Sequence, residues 1–578
     1  MKKSIIIGIF IILILIVILA KDSKKEVVPP ELSNTWNFEQ EKAEAKIESK
    51  EGWVRLWYQI EDFFGECSFL YKPSATLVDH GLVIRARGGG AWMISLGTKD
   101  VIPDLSKVPY FMIEAKKEAA ELYLPFSDFG FRGDHTGDVS LPKPEEVKSL
   151  IFTPSVGWSE PGQSHFLEIK EIRTYKKGTC TETDKDGDGI PNHDDYDIDG
   201  DGWFNVLEGY AGTDRMDPSD FPNGKLITPS SGCYTGLLVT SGATGILDFE
   251  TLTGMKPAII NLFPGWEIDQ RAPLKMDRPF LEWIWRHGSI PRHCWLPEGK
   301  VRLQDIIDGK HDQMIAELAE EVKALRQPII WPWGVEVDGS PLEPSNGLSN
   351  FGKDGTKNWY EVDNLNCYYG SPDEPDGIER WKDYVSYVRK IFDRHGVNNV
   401  VYFFHALGAE YTESGEDIMD GQLPTPGDWN TVTNYYPGAR LVDWVGFSLN
   451  GPGWNGTKWI SIDNILDESY LTKLRGVAMG KPIMIPEFAF FPQTNWQTPP
   501  RQSRAELFSK VFKEIKTKYP SIKAWMFENT RSLSPPVMPM WVVAPYMSAD
   551  SPPDELEAFR EAVTQDPYFL KDPILSGL

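Results

Sequence analysis

The sequence predicts a multidomain chain: an N-terminal all-β sandwich of jelly-roll type, a short acidic repeat segment, and a C-terminal (β/α)8 TIM barrel. Three observations predict it. Between Trp36 and Lys177 short alternating apolar segments are broken by Gly, Pro and Asp. Between Asp184 and Glu208 aspartate recurs at every second position in two consecutive runs. From Leu226 onward, apolar strands alternate with amphipathic helical patterns. The expected divisions are residues 1–21, 34–178, 180–222 and 226–578.

A chain of 578 residues exceeds what one hydrophobic core serves, and 41 % hydrophobic with 12 % aromatic content makes it globular. Eighty-four acidic against 59 basic residues give a net charge of −25, which argues against a phosphate backbone, and so nucleic acid, as a partner.

The chain starts Met1-Lys-Lys-Ser, then runs apolar from Ile5 to Ala20. Lysines before such a run favour export of the downstream chain. The run is short for a membrane span and long for a signal core, and neither an Ala-x-Ala site nor a lipidation cysteine comes after it. A signal peptide and a retained membrane tether both remain open, and either places the rest of the chain outside the cell or on its surface. The cysteines, Cys67, Cys180, Cys233, Cys294 and Cys367, are odd in number and sparse. Cys180 and Cys233 flank the acidic segment and are placed to close it; Cys294 and Cys367 are placed to meet at the barrel rim.

In the first region, Leu82–Arg87, Ala91–Leu96, Tyr110–Ala115, Leu122–Phe129 and Phe166–Ile172 alternate in the strand period. The segments Leu124–Phe129 and Leu150–Pro154 through Tyr175 resemble the jelly rolls of family 11 carbohydrate-binding modules. That resemblance implies a glycan-binding face with Trp53, Trp57, Trp92 and Trp158 as stacking candidates. A sandwich that only supports the barrel is the alternative.

Asp197-Ile-Asp199-Gly-Asp201-Gly-Trp203-Phe-Asn205-Val-Leu-Glu208 fits the twelve-residue calcium loop. Side-chain oxygens stand at positions 1, 3, 5, 9 and 12, the Trp203 carbonyl at 7, and Gly202 at the sharp turn. Asp184, Asp186, Asp188, the Ile190 carbonyl, Asn192 and Asp195 repeat the spacing just before it. The pair resembles the tandem repeats of thrombospondin type 3 and dockerin modules, which implies structural Ca2+. A calcium-stiffened hinge is the expected role, and a dockerin role would require a scaffold protein as partner.

Eight candidate strands come next: Gly236–Val239, Ala258–Leu262, Ser289–Trp295, Pro328–Trp331, Val400–Phe404, Asp443–Phe447, Pro482–Ile485 and Ala524–Phe527. Helical patterns intervene at Asp312–Arg326 and Ile378–Arg394, the arrangement of a (β/α)8 barrel, whose function sits at the C-terminal strand ends. Two glutamates stand there: Glu336, beyond Pro328-Ile-Ile-Trp331, and Glu487, ending Pro482-Ile-Met-Ile-Pro-Glu. Two carboxyls on different barrel strands suit glycoside hydrolysis with retention.

The order Gly288-Ser-Ile-Pro to Trp295, Leu303 to Asp312, Glu336-Val-Asp-Gly, His395 to Val400, Val442 to Phe447 and Lys481 to Glu487 resembles glycoside hydrolase family 26, across about Leu226 to Asn529. The resemblance implies a secreted or membrane-tethered retaining endo-β-glycosidase acting on a β-linked polysaccharide, mannan or glucan. Glu336 would be the acid/base and Glu487 the nucleophile, with no catalytic cofactor. It makes Trp295, Trp333, Asn450, Trp454 and Trp525 the substrate-binding candidates. Trp331, Trp333, Val335 and Val337 around Glu336 provide the apolar setting that favours a neutral acid.

The chain departs from the family's pattern in several places. Val335 stands where the family has His, Trp331 or Pro332 where it has Arg, and Asn450 where it has the Tyr that touches the nucleophile. Strand three ends Cys294-Trp295-Leu296 without the usual His or Glu. His293 and His405 are the candidate replacements. The alternative reading is a non-catalytic glycan-binding cell-surface protein on a decayed barrel.

Overall fold

A computed structural model describes residues 35–61, 65–74, 76–133, 140–156, 162–178, 180, 183–239, 242–262, 276–294, 303–335, 337, 377–406, 432–450, 453–454, 459–460, 470–489, 503–529 and 551–577. Glu336, Trp158, Trp295 and Cys367 lie outside these residues, as do residues 1–34 with the apolar run. Among the described residues no helix is long and apolar enough to cross a membrane.

The first region folds into two five-stranded antiparallel sheets. One joins β1 (Trp36–Glu41), β4 (Glu66–Tyr71), β9 (Ser149–Pro154), β6 (Ala91–Gly97) and β7 (Tyr110–Glu114). The other joins β2 (Ala43–Lys50), β3 (Trp53–Ile60), β10 (Ser164–Tyr175), β5 (Gly81–Gly88) and β8 (Ala120–Pro125). Alternation sends Leu56, Tyr58 and Ile84 from one sheet against Phe69, Trp92 and Ile94 from the other, and these form one dry core.

The C-terminal region is a closed parallel barrel of eight strands. In chain order they are Cys233–Leu238, Ile259–Leu262, Ile290–His293, Ile329–Pro332, Val400–Ala406, Trp444–Phe447, Ile483–Ala489 and Ile522–Glu528. Each pairs with the next, and strand eight pairs with strand one, closing the ring. All eight fall where the apolar runs place them. Strands buried on both faces read as continuous Val/Ile/Leu/Phe runs rather than alternations. Gly446 in strand six is required, because a Cβ there would sit 1.8 Å from the Met484 carbonyl oxygen of strand seven.

The outer helices are built by the 3.6-residue period. In the helix Asp312–Ala324, residues Ile315, Leu318, Ala319 and Val322 form the buried stripe. The helix Arg504–Thr517 starts at a capping box: Ser503 Oγ accepts from the Glu506 N–H (3.2 Å), and the Glu506 carboxylate accepts from the Ser503 N–H (3.0 Å). Its Phe508 and Phe512 pack on strands seven and eight through Phe488, Trp525 and Phe527. The C-terminal segment returns beneath the barrel, where Phe569–Leu570 pairs with Cys233 and Tyr234 at the start of strand one.

Sandwich and barrel are joined by polar contacts. Thr244 Oγ1 exchanges hydrogen bonds with the Ala91 backbone, Arg286 donates to the Met112 carbonyl (3.2 Å), and Asp248 holds Gln163 (2.8 Å) and His165 (2.9 Å). Cys67, Cys180, Cys233 and Cys294 are all free thiols. The expected closure of the acidic segment by Cys180 and Cys233 is therefore not made: Cys233 is buried at the start of barrel strand one.

Candidate active site

Several barrel strands deliver a polar side chain at their C-terminal ends, and these meet in one buried network. Strand two carries Asn261, strand three carries Arg292 with Cys294 just beyond, and strand five carries His405. Ser448 comes just after strand six, Glu487 lies in strand seven, and Glu528 ends strand eight. Asn261, Arg292, Cys294, His405 and Ser448 are all buried.

Arg292 is the hub. Its Nη1 donates to Asn261 Oδ1 at 2.6 Å and to Cys294 Sγ at 3.0 Å, and its Nη2 bonds His405 Nδ1 at 2.7 Å. His405 Nε2 lies 2.9 Å from Ser448 Oγ, and the pairing of Leu449 with Phe488 sets Ser448 beside Glu487 on the neighbouring strand. Among the described residues Glu487 Oε1 has no partner, nor do Arg292 Nε and Asn261 Nδ2. Buried polar atoms left open around one carboxylate are costly unless a ligand meets them.

Burial sets the electrostatics. Glu487 is pushed up to about 7, first by burial; the Arg292 charge opposes that rise, the Glu528 charge adds to it, and the Ser448 bond opposes it. Burial and the adjacent Arg292 cation hold His405 well below its ordinary value, so it is neutral. Burial raises the Cys294 thiol to about 12, so it is not a thiolate.

The expected site residues divide. Glu487 is at the site. Glu336 and Trp295 lie outside the described residues, but the flanks of Glu336 are placed: Val335 and Val337 are buried, and the Val337 N–H bonds the His405 carbonyl at 3.2 Å. Asn450 and Trp454 are placed by backbone alone, Asn450 pairing with Ala489 and Trp454 with Trp459.

Two aromatic assignments are corrected. Trp525 is fully buried on the helix-facing side of strand eight, its ring 4.8 Å from Phe512 and 6.1 Å from Phe569. Trp333 is also buried, stacked on Tyr402 at 5.1 Å, with its indole N–H on the Leu441 carbonyl. Neither ring has a face left for a sugar. Of the two histidines, His405 joins the network and His293 does not; His293 stacks on Trp331 at 5.6 Å, and burial lowers it to about 4.

Asn261, Arg292, Ser448 and Glu528 were missed by motif reading. The rule that polar residues at C-terminal barrel-strand ends are functional would have found all four, since each interrupts or ends an apolar run.

The two acidic loops share a hydrogen-bond pattern. Asp184 accepts from the Gly187 and Gly189 N–H groups, as Asp197 does from Gly200 and Gly202. Asn192 accepts from the Lys185 N–H, as Asn205 does from Ile198. Carboxylate oxygens of Asp184, Asp186 and Asp188 lie within 4.8 Å of one another, as do those of Asp197, Asp199 and Asp201. Among the described residues Glu208 is fully buried with neither carboxylate oxygen partnered, and Asp195, Asp199 and Asp201 each leave one buried oxygen open. Burial first, then the charges of Asp199, Asp201 and Asp197, drive Glu208 up to about 8. Such a cluster fits a divalent cation, which would neutralise and satisfy it together. Ile190 and Trp203, at position 7 of each loop, are buried.

On the sandwich, Trp92 is core, edge-on to Tyr58. Trp53 lies under Arg87 (4.5 Å) and Lys170 (5.6 Å), and Trp57 under Lys46 (4.7 Å), so cations cover these half-buried rings.

No family model and no curated protein matches the chain. Solved structures that resemble it include a modular endo-β-1,4-mannanase of Cellulomonas fimi (18 % identity, 59 % of this chain and 72 % of that one, TM-score 0.37). A GH26 β-mannanase of Bacteroides ovatus matches at 14 % identity over 59 % of this chain and 90 % of that one, TM-score 0.36. Xylanase 10C of Cellvibrio japonicus matches at 10 % identity over 92 % of this chain and 97 % of that one, TM-score 0.33. At these scores the likenesses carry no weight for activity, and the barrel rests on its own strand order.

Proposed function

We propose that this protein is a retaining endo-β-glycosidase acting on a β-linked polysaccharide of the mannan or glucan class. The observation that carries the reading is Glu487: a carboxylate in barrel strand seven, beside Ser448 on the neighbouring strand, with Oε1 unpartnered among the described residues and the Arg292 charge acting on it. A nucleophile needs that arrangement, one group fixing the carboxylate and one oxygen free to attack.

In the proposed reaction Glu487 Oε1 attacks the anomeric carbon while Glu336 gives its proton to the departing glycosidic oxygen. The C–O bond breaks and a glycosyl ester forms on Glu487. Glu336, now a carboxylate, takes a proton from water; the water oxygen attacks the anomeric carbon and Glu487 is released. Each step restores the group used in the other. The free donors Arg292 Nε and Asn261 Nδ2 are available to sugar hydroxyls in the adjacent subsite.

We also propose that each acidic loop holds one Ca2+, with Asp184, Asp186, Asp188, Asn192 and Asp195 in the first and Asp197, Asp199, Asp201, Asn205 and Glu208 in the second. The role is structural. The second loop touches the barrel at Gln327, which precedes strand four, away from the strand ends that carry Glu487.

The test is reducing-sugar release by residues 22–578 from mannan, glucomannan, barley β-glucan, cellulose and xylan, beside Glu487→Ala. Turnover that disappears in the variant supports the reading and names the polymer. Full turnover in the variant sinks the site. Binding without turnover by the unmodified protein returns it to the glycan-binding class.

A further inference from the structure

The buried network at the barrel mouth has a direction, and Arg292 sets it. A guanidinium has five donors and no acceptor. His405 Nδ1, 2.7 Å from Arg292 Nη2, must therefore accept. His405 is neutral, because burial and the Arg292 charge both oppose a second proton. Its single proton is then on Nε2, the atom 2.9 Å from Ser448 Oγ. Ser448 Oγ accepts a hydrogen bond from that N–H, so its own hydrogen is available to the Glu487 carboxylate, which the pairing of Leu449 with Phe488 sets beside it. The Ser448 N–H is anchored on the Ala406 carbonyl at 3.1 Å, which fixes the hydroxyl between strands five and seven.

We propose that Arg292, His405 and Ser448 act as a one-way donor chain that positions Glu487, fixing its carboxylate through one hydrogen bond while Oε1 stays free to react. The proposal rests on the reading of Glu487 as nucleophile, and adds three positioning residues to it. All three are buried, so water cannot substitute for a missing link. Among the described residues, the charged or titratable groups acting on Glu487 are Arg292 and Glu528, with Cys294 beside Arg292 and His405 behind Ser448. Glu528 pushes Glu487 toward its protonated form, and Arg292 and Ser448 oppose it. Cutting the chain anywhere leaves Ser448 free to turn its hydrogen away, and Glu487 then gains a proton more easily.

The experiment uses three variants of residues 22–578: Ser448→Ala, His405→Leu and His405→Gln. Glutamine presents a carbonyl oxygen toward Arg292 and an N–H toward Ser448, so it preserves the direction of the chain. The readout is the carboxyl titration of Glu487 by 13C NMR with side-chain-labelled glutamate, the signal assigned by its loss in Glu487→Gln. Ser448→Ala and His405→Leu are expected to move the titration midpoint to higher pH, and His405→Gln to leave it near that of the unmodified protein. On whichever polymer the protein cleaves, Ser448→Ala is expected to lower kcat about tenfold or more with KM little changed. An unmoved midpoint in Ser448→Ala overturns the proposal, as does an equal shift in both His405 variants. If His405→Leu does not fold, Ser448→Ala, which removes one atom, decides alone. The arms separate from the functional reading: full activity in Glu487→Ala removes the nucleophile while the titration still reports on the chain. Loss of activity in Glu487→Ala with a normal Ser448→Ala leaves the nucleophile and removes the chain.

Discussion

Gln327 donates from Nε2 to the Gly202 carbonyl at 2.6 Å, tying the second acidic loop to the residue pair that opens barrel strand four. Its neighbour Arg326 donates to the Asp201 carbonyl and lies over Phe221. Trp203 and Leu207 of the same segment belong to the barrel's own hydrophobic core. A cation bound in this loop would therefore stabilise the barrel as well as a linker. Chelation is expected to lower the melting temperature of the whole protein by several degrees, as expected for a ligand that binds only the folded state. Glu208→Ala should remove most of that calcium dependence. Calorimetric melts with calcium and with EDTA check it, and identical melts would exclude the site.

The pH dependence of activity has a defined sign. In the proposed reaction Glu487 attacks as the ionised carboxylate, and it stands raised to about 7, so kcat/KM is expected to rise as pH increases through about 7. The Glu528 charge is one of the causes of that elevation. Glu528→Gln should therefore shift the acidic limb to lower pH. A limb that stays in place or moves upward in this variant would show that Glu528 does not act on Glu487.

His287 gives a second pH prediction, at the seam between sandwich and barrel. Its ring stacks on Trp283 at 5.0 Å, with Nε2 2.7 Å from Glu250 of the barrel and Nδ1 3.4 Å from Glu114 of β7. Burial works against its charge, but the hydrogen bonds and charges of Glu114 and Glu250 outweigh it and push the pKa up to about 9. A raised histidine stabilises fully below its unfolded value near 6.5 and loses that contribution as pH rises through about 9. His287→Ala should destabilise more at pH 6 than at pH 10. Chemical denaturation at the two values measures it, and equal losses would refute the buried ion pair.

The eight strands were legible because each is an apolar run buried on both faces, and such runs need no tertiary information. The place of Glu487 on strand seven was legible for the same reason, as the charge that follows an apolar run. The rest of the site was not. Arg292 and His405 lie 113 positions apart, and only closure of the barrel brings them together. The tryptophans misled for a related reason. Trp333 and Trp525 sit near strand ends, but which face each presents depends on strand register and on partners such as Tyr402 and Phe512. The turns of the acidic loops follow from local sequence, because their aspartate and asparagine side chains accept from N–H groups no more than seven residues away.

The last prediction concerns those tryptophans. If Trp525 lined a subsite, Trp525→Ala would weaken substrate binding and leave stability nearly intact. Its ring instead fills the space between strand eight and the helix Arg504–Thr517, in contact with Phe488, Phe512 and Phe569. Emptying a buried site of that size costs about 3–5 kcal/mol. Trp525→Ala should therefore lower the melting temperature sharply, while Trp525→Phe, which keeps most of the packing, should retain a KM close to that of the unmodified protein. A raised KM in Trp525→Phe with an unchanged melting temperature would return this residue to the substrate site.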